Sequence, residues 1–230
     1  MNIRLIPLAL LGAAALAAPL LAKPATHAAK PAPYAAWLAD PLRNEDMRKL
    51  DEGRMPAAVL ARAVGPKGKV FAANPPGEHN PKAWEPLAGK VPQLHVMVAE
   101  IPQMQFAPRS LDVIFTNLNY HDLYWESEKY HFPRVEVPTV LAAWFTQLKP
   151  GGQVVIIDHA GSAGGDPREV ADRLHRIDPE RVKADMTAAG FVFESASNLL
   201  RRSEDDHSKL VFDPAVRGKT DRFILKFRRP

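Results

Sequence analysis

The chain of 230 residues contains no cysteine. Disulfide bonds, thiolate metal sites and cysteine nucleophiles are therefore excluded. A strong charge of either sign is also lacking, because the formal net charge is only +4. The sequence thus gives no basis for nucleic-acid binding, and we expect no nucleic-acid partner. The 46% hydrophobic and 24% charged residues are the composition of an ordinary globular protein that buries a core.

The amino terminus lacks an uninterrupted apolar run long enough to span a membrane. Leu5 to Leu21 is rich in Ala and Leu, but two prolines and a glycine interrupt it, and a transmembrane helix needs about 20 apolar residues. Arg4 precedes this run, and the small residues around Ala15 and Ala17 fit a cleavage site. We therefore predict a signal peptide over residues 1–22, hence export and no stable membrane anchor after cleavage; a membrane anchor is the alternative.

The rest of the chain divides into a linker and one domain. Residues 23–43 are rich in Pro and Ala and are predicted to be an extended linker, and residues 44–230 form the domain. The first part of the domain, Asn44 to Val64, has apolar residues at helical spacing. Pro56 interrupts this pattern, so two helices that meet near Gly53 are an equal alternative.

Strand patterns alternate with helix patterns through the domain. The predicted strands are Lys69–Ala73, Leu94–Ala99, Val113–Thr116, Gln153–Asp158, Phe191–Ser195 and Asp221–Arg228, and the predicted helices are Pro138–Leu148 and Pro179–Ala189. The turn Lys149-Pro150-Gly151-Gly152 is a strong stop signal after the first of these helices. This alternation predicts an α/β fold with a mostly parallel sheet, closed by an antiparallel hairpin of the last two strands.

The order of these motifs is similar to that of a known family. The stretches LDVIFTNLNYHDLYW, LKPGGQVVIIDHAG, LHRIDPERVKADMTAAGF and DRFILKFRR resemble class I S-adenosylmethionine-dependent methyltransferases, and especially an exported bacterial group of them. The resemblance covers about residues 46–230. It implies a Rossmann-like fold, S-adenosylmethionine as cofactor, a small-molecule methyl acceptor and, for the exported group, a periplasmic location.

The resemblance also implies where the cofactor binds. The family holds it at the carboxyl ends of the first strands, through a glycine-rich turn and through acidic residues after the second and third strands. Glu100 matches the second of these acids, whereas Asn74 stands in the place of the first. The implied cofactor-binding residues are Asn74, Glu100, Ile101 and Asn117. Glu100 as a solvated loop carboxylate and Asn74 as a turn residue before Pro75 are the alternatives.

No residues match the glycine-rich turn or the strand that precedes it. The segment from Met55 to Ala61 runs directly into Arg62–Gly68, and about 25 residues are missing on the ~30-residue scale of a βαβ unit. We therefore predict that the first, central strand is absent, which would leave backbone groups of its neighbours without partners. Three outcomes stay open: the strand Lys69–Ala73 shifts to pair with Val113–Thr116, another segment fills the gap, or the chain is marginally stable.

The acceptor side of the family pattern is better preserved. Methyl transfer from a sulfonium is an in-line displacement, so it needs positioning, a proton acceptor and shielding from water. The implied catalytic residues follow the fourth and fifth strands: Asn119, Tyr120, His121, Asp122, Asp158 and His159. We interpret His121 and Asp122 as base and orienter, and Asn119 and Tyr120 as groups that bind the acceptor.

Two other functions remain open. One is a non-catalytic binding module on the same scaffold. The other is a metal-dependent enzyme with a site of His121, Asp122, Asp158 and His159; no spacing such as His-Glu-x-x-His supports it, so we assign no metal ligands. Structural loop histidines are the plain alternative for His121 and His159. Asp178 is expected to cap a helix, and Asp205-Asp206-His207 to form a solvated turn.

Overall fold

A computed structural model describes residues 57–230 together with the two-residue strand Ala13–Ala14. The strands of the described part are β1 (Ala13–Ala14), β2 (Val70–Asn74), β3 (Leu94–Val98), β4 (Leu111–Asn117), β5 (Leu148–His159), β6 (Val192–Ser197) and β7 (Arg222–Arg228). Its helices are α1 (Ala57–Val64), α2 (Pro81–Ala88), α3 (Val137–Gln147), α4 (Pro167–Leu174) and α5 (Pro179–Ala188). The predicted linker, the helix predicted before Ala57 and nearly all of the predicted signal peptide lie outside these residues.

The strands form one sheet in the order β3-β2-β1-β4-β5-β7-β6. β2 pairs with β3 and β4 with β5 in parallel, whereas β7 runs antiparallel to both β5 and β6. The five strands from β2 to β6 therefore all run in the same direction, and β1 and β7 run in the opposite direction. The predicted α/β sheet with a closing antiparallel hairpin is confirmed, and the alternating burial of β7 leaves one face of that strand partly exposed.

A segment from the amino terminus fills the gap at the sheet centre. β1 lies between β2 and β4 and is antiparallel to both, with Ala13 opposite Phe71 and Ile114. Of the three outcomes left open by the sequence, filling by another segment is thus the one observed, and the prediction of an empty central position is corrected. β1 has only two residues and lies inside the predicted signal peptide, so this pairing belongs to the uncleaved chain.

The sheet carries core side chains on both faces. Val70 and Ala72 of β2 pack with Trp84 and Leu87 of α2 in one cluster, whereas Ala73, next along the strand, belongs to the larger cluster. That larger cluster includes Trp144 of α3, which is fully buried. This alternation follows from the two-residue period of a strand. Within the described part of the chain, no helix has the length and apolar character needed to cross a bilayer.

The Lys-Pro-Gly-Gly turn belongs to β5 rather than to a separate loop. α3 ends at Gln147 and β5 begins at Leu148, which pairs with Leu111. The register then shifts before Val113 pairs with Gln153, and the extra residues form an irregularity in the strand. Gly151 has a φ of 78°, a conformation that glycine adopts without the steric cost of a side chain.

The helix α4 was not predicted from the sequence. Asp166 caps this helix by accepting hydrogen bonds from the backbone N–H groups of Arg168 and Glu169, and Pro167 occupies its first position. The Asp-Pro start with Glu169 in the first turn was the available signal. α4 ends at Leu174, and its C-cap residue His175 has a left-handed backbone conformation with a φ of 51°. The prediction that Asp178 caps the next helix is confirmed, because its carboxylate accepts a hydrogen bond from the backbone of Glu180.

A buried ion pair anchors the long connection between β6 and β7. Arg176 is completely buried, and its guanidinium donates two hydrogen bonds of 2.9 and 3.0 Å to the carboxylate of Asp205. The same guanidinium donates to the carbonyl of Ala160, directly after β5. Burial would raise the pKa of Asp205, but the hydrogen bonds from Arg176 and from the Asp221 backbone hold it below its usual value. The expectation of a solvated turn at Asp205 is therefore wrong.

We expect Arg176→Ala to lower the free energy of unfolding by roughly 3–5 kcal/mol, because it leaves the carboxylate of Asp205 buried without its cation. Urea unfolding measures this value. Arg173→Ala is the control: Arg173 forms an exposed pair with Glu169, and its loss should cost less than about 1 kcal/mol. Equal effects of the two substitutions would contradict the anchoring role of the buried pair.

Candidate functional site

The candidate site lies where β4 and β5 end. Both strands end at the same edge of the sheet because they run parallel. After β4 the chain makes a turn at Leu118, which has a φ of 59°, and enters a short 3-10 helix over His121–Leu123. This turn brings His121 over the end of β5, next to Asp158.

Asp158 joins the two strand ends. One carboxylate oxygen accepts a hydrogen bond of 2.8 Å from the backbone N–H of His121, and the other lies 2.8 Å from Nδ1 of the same residue. The backbone N–H of His159 donates a third hydrogen bond of 2.7 Å. Burial would raise the pKa of Asp158, but the attraction and the hydrogen bonds of His121 outweigh burial and keep this pKa low. An ionised Asp158 therefore accepts from Nδ1–H of His121, which directs Nε2 of that ring away from the strand.

Nε2 of His121 faces a second carboxylate and a second histidine. It lies 3.2 Å from Oδ1 of Asp122. The same oxygen is 3.8 Å from Nδ1 of His175, and the rings of the two histidines meet edge to face at 5.4 Å. The ligand atoms of His121, Asp122 and His175 all lie within 4.8 Å of one another. His121 and Asp122 were predicted from the sequence as site residues, whereas His175 was not.

An aromatic cavity opens above this cluster. Its volume is about 350 Å³, and its walls are formed by Gly77, Asp122, Trp125, Tyr130, Phe132, Asp172, Arg173, His175, Leu210 and Phe212. The ring of His175 lies 5.2 Å from that of Trp125 and 5.1 Å from that of Phe212. Asp122 and His175 are therefore the cluster members that line the cavity, and His121, which is completely buried, lies behind them.

His159 does not reach the cluster of the other two histidines. Its Nδ1 lies 2.7 Å from the hydroxyl of Thr220, and its ring centre is 5.9 Å from that of His121. Burial lowers the pKa of His159 to about 3, although the nearby Asp158 acts in the opposite direction. His159 is thus neutral at physiological pH, and its geometry is that of a packed histidine beside the site.

Tyr120 and Asn119 also lie away from the cavity. The ring of Tyr120 is in the core, and its hydroxyl donates a hydrogen bond of 3.3 Å to Asp185 of α5. Burial, together with this carboxylate, raises the pKa of Tyr120 well above its usual value. Asn119 is buried and accepts a hydrogen bond from the hydroxyl of Thr116. The structure does not bring these two predicted acceptor-binding residues to Asp122.

The residues expected to bind the cofactor lie around the ends of β2, β3 and β4. Asn74 is the last residue of β2, and its backbone carbonyl accepts a hydrogen bond of 3.2 Å from the N–H of Ala99. Glu100 and the buried Ile101 follow, and Asn117 is the last residue of β4. Nδ2 of Asn74 is buried and, within residues 57–230, has no hydrogen-bond partner. An amide donor is thus available where the family pattern has an acid.

A groove beside Glu100 is large enough for a nucleoside. Its volume is about 730 Å³, within the range of roughly 300–1,000 Å³ typical of ligand pockets. We call it the Glu100 groove; its lining residues are Glu100, Glu126, Ser127, Glu128, His131, Phe132, Pro133 and Arg134. Phe132 also lines the aromatic cavity, so the two spaces are adjacent at this residue.

The low pKa of His159 predicts a pH dependence of stability. The unfolded chain binds a proton on this ring near pH 6.5, and the folded chain only near pH 3. Between these values the unfolded state holds more protons, so the free energy of unfolding should decrease as the pH falls, by about 1.4 kcal/mol per pH unit for one proton.

Urea unfolding of the wild type and of His159→Gln, from pH 7.5 to pH 4, measures this contribution. We expect the free energy of unfolding of the variant to decrease less steeply as the pH falls. The difference in slope should correspond to about one proton. Superimposable pH profiles would show that His159 is not held neutral.

The similarity of this chain to known proteins lies in its fold. The chain matches no protein-family model and no curated protein sequence. It is similar to the crystal structure of a SAM-dependent methyltransferase from Aquifex aeolicus, with 19% identity, a TM-score of 0.52 and coverage of 75% of each chain.

It is also similar to the 1,6-didemethyltoxoflavin-N1-methyltransferase of Burkholderia thailandensis, solved with 1,6-didemethyltoxoflavin and S-adenosylhomocysteine. Here the identity is 14% and the TM-score 0.50, and the match covers 84% of this chain and 80% of that one. Together with the strand order, these likenesses show that the chain has the α/β fold of class I S-adenosylmethionine-dependent methyltransferases.

Proposed function

We propose that this protein is a class I S-adenosylmethionine-dependent methyltransferase that acts on a small, flat acceptor. The observation that carries the proposal is that the Glu100 groove and the aromatic cavity are adjacent, with Phe132 lining both. A transferase for two small molecules needs two neighbouring sites that meet at one point, and the edge of the sheet at the strand ends provides them.

The cofactor's nucleoside fits the residues at the ends of β2 and β3. The carboxylate of Glu100 can accept hydrogen bonds from ribose hydroxyls, and the buried Nδ2 of Asn74 can donate one to a hydroxyl oxygen. A donor buried without a partner costs roughly 1–3 kcal/mol, so a ligand that accepts from Asn74 recovers this cost. When bound, the cofactor supplies an electrophilic methyl group on a sulfonium.

The chain's own residues bind the acceptor and remove its proton. Trp125, Phe132 and Phe212 line the cavity with aromatic surface that suits a flat molecule. Asp122 faces the cavity and is in contact with Nε2 of His121. We assign the acceptor's proton to Asp122. Nε2 of His121, whose Nδ1–H is held by Asp158, then accepts a hydrogen bond from the protonated Asp122.

A second candidate is a non-catalytic binding protein on the same scaffold. The observation that favours it lies at the sheet centre, where β1 runs antiparallel to its neighbours. The family's glycine-rich turn follows a parallel strand in this position and provides backbone N–H groups to the cofactor. If cofactor binding requires those backbone donors, the protein binds a ligand in the aromatic cavity but does not transfer a methyl group.

We expect S-adenosylhomocysteine to bind the purified protein in the micromolar range, measured by isothermal titration calorimetry. Glu100→Gln should weaken this binding by about 10-fold or more, because it removes a charged acceptor of hydrogen bonds. Glu128→Gln is the matched control, since Glu128 lines the same groove but is exposed. Equal affinities of the two variants would remove Glu100 from the cofactor site.

Asn74→Asp should strengthen the binding of S-adenosylhomocysteine by about 10-fold, because a carboxylate at the end of β2 accepts charge-assisted hydrogen bonds from ribose hydroxyls. A gain in affinity cannot arise from damage to the fold, so this variant tests the site directly. The measurement is again calorimetric. If neither the wild type nor Asn74→Asp binds at millimolar ligand, the non-catalytic function is favoured.

A further inference from the structure

We infer that His121, Asp122 and His175 form a binding site for a divalent transition-metal ion, of which zinc is the best match. This ion is a ligand other than the cofactor, and its binding can be measured without cofactor or acceptor. Two imidazole nitrogens and one carboxylate oxygen are a ligand set of catalytic zinc and related metals.

Two of the three distances between the ligand atoms are close to those expected around one ion. Tetrahedral zinc with bonds of about 2.0–2.1 Å places its ligand atoms about 3.4 Å apart. Oδ1 of Asp122 lies 3.2 Å from Nε2 of His121 and 3.8 Å from Nδ1 of His175, which brackets that value. The two imidazole nitrogens lie within 4.8 Å of each other.

Asp158 provides the outer contact that metal-binding histidines usually have. A metal-bound imidazole generally donates its other N–H to a carboxylate, which orients the ring and makes the bound nitrogen more basic. His121 has this arrangement: Nδ1 is 2.8 Å from Asp158, so Nε2 is the nitrogen that faces Asp122. Asp158 is completely buried and held in place by two backbone N–H groups, from His121 and His159.

His175 contributes an independent observation. Its Nδ1 is buried and, in the described part of the chain, has no hydrogen-bond partner. The residue has a left-handed backbone conformation, which few non-glycine residues adopt. This conformation ends α4 and turns the ring towards Asp122. A metal ion would give the buried nitrogen a partner.

Among the described residues, the site faces the aromatic cavity. Asp122 and His175 line the aromatic cavity, whereas His121 lies behind them. Three protein ligands with a free position towards a cavity are the arrangement of catalytic rather than structural zinc sites. With the ion present, Asp122 acts as a ligand, and an oxygen or nitrogen of the acceptor, or a water molecule, binds the ion's free position.

The test uses the full chain without a histidine tag, treated with chelator and then titrated with Zn²⁺ by calorimetry. We expect one ion per chain with a Kd of about 1 μM or tighter, and no displacement by excess Mg²⁺, which prefers oxygen ligands. Titration with Co²⁺ should produce visible absorption bands of a site with nitrogen ligands. The absence of stoichiometric binding of either ion would overturn the inference.

Variants test which residues bind the ion. His175→Ala should weaken Zn²⁺ binding by roughly 100-fold, and Asp158→Asn by about 10–100-fold, as expected for a ligand and for its outer contact. His95→Ala removes an exposed histidine on β3 and should leave the affinity unchanged.

Circular dichroism establishes that each variant is folded. If His175→Ala does not fold, the nearly isosteric Asp122→Asn replaces it, with the same expected loss. Wild-type affinity in a folded His175→Ala or Asp122→Asn would disprove the site.

Discussion

The carboxylate of Asp158 is the contact on which the candidate site depends. It accepts backbone hydrogen bonds from His121, which lies shortly after β4, and from His159, the last residue of β5. Because the carboxylate is buried and ionised, a movement of His121 would remove two of its three hydrogen bonds, which is costly. The orientation of the His121 ring is thereby determined, and with it the direction of Nε2 towards Asp122.

A second set of buried charges supports the opposite wall of the cavity. Arg176 follows His175 directly and is held by Asp205 and by the carbonyl of Ala160. Asp205 in turn accepts a hydrogen bond from the backbone of Asp221, at the start of β7. The position of His175 above Asp122 thus depends on a pair whose members are 29 residues apart in the chain. The two networks together connect β4, β5, α4 and β7 around one cavity.

Most of the fold was predictable from the sequence. The strands near Val70, Leu94, Val113, Gln153 and Arg222 and the helices near Pro138 and Pro179 lie where the apolar periodicity placed them. Their boundaries differ most at Leu148, where the register shift in β5 absorbs a glycine turn. α4 was missed because it is short and polar, so that apolar spacing gives little signal there. The filling of the sheet centre by β1 was left open, since pairing between distant segments has no local signature.

The predicted site residues separated into two groups in the structure. Asp122, His121 and Asp158 lie in one connected cluster, whereas Tyr120 and His159 contact Asp185 and Thr220 instead. Neighbours in sequence therefore point to different partners, because the tight turn after β4 rotates each side chain by a different amount. A pattern of residue types cannot resolve such directions.

The sequence by itself determined the class of the fold and the stretches after β4 and β5 from which functional groups come. Periodicity and turn residues are local properties, and they specify where strands end. Only the tertiary structure decided that His175 joins Asp122, that Phe132 lines both a polar groove and an aromatic cavity, and that His159 stays outside the cluster. These facts depend on sheet register, on buried ion pairs and on one left-handed residue, all of which bring together segments distant in the chain.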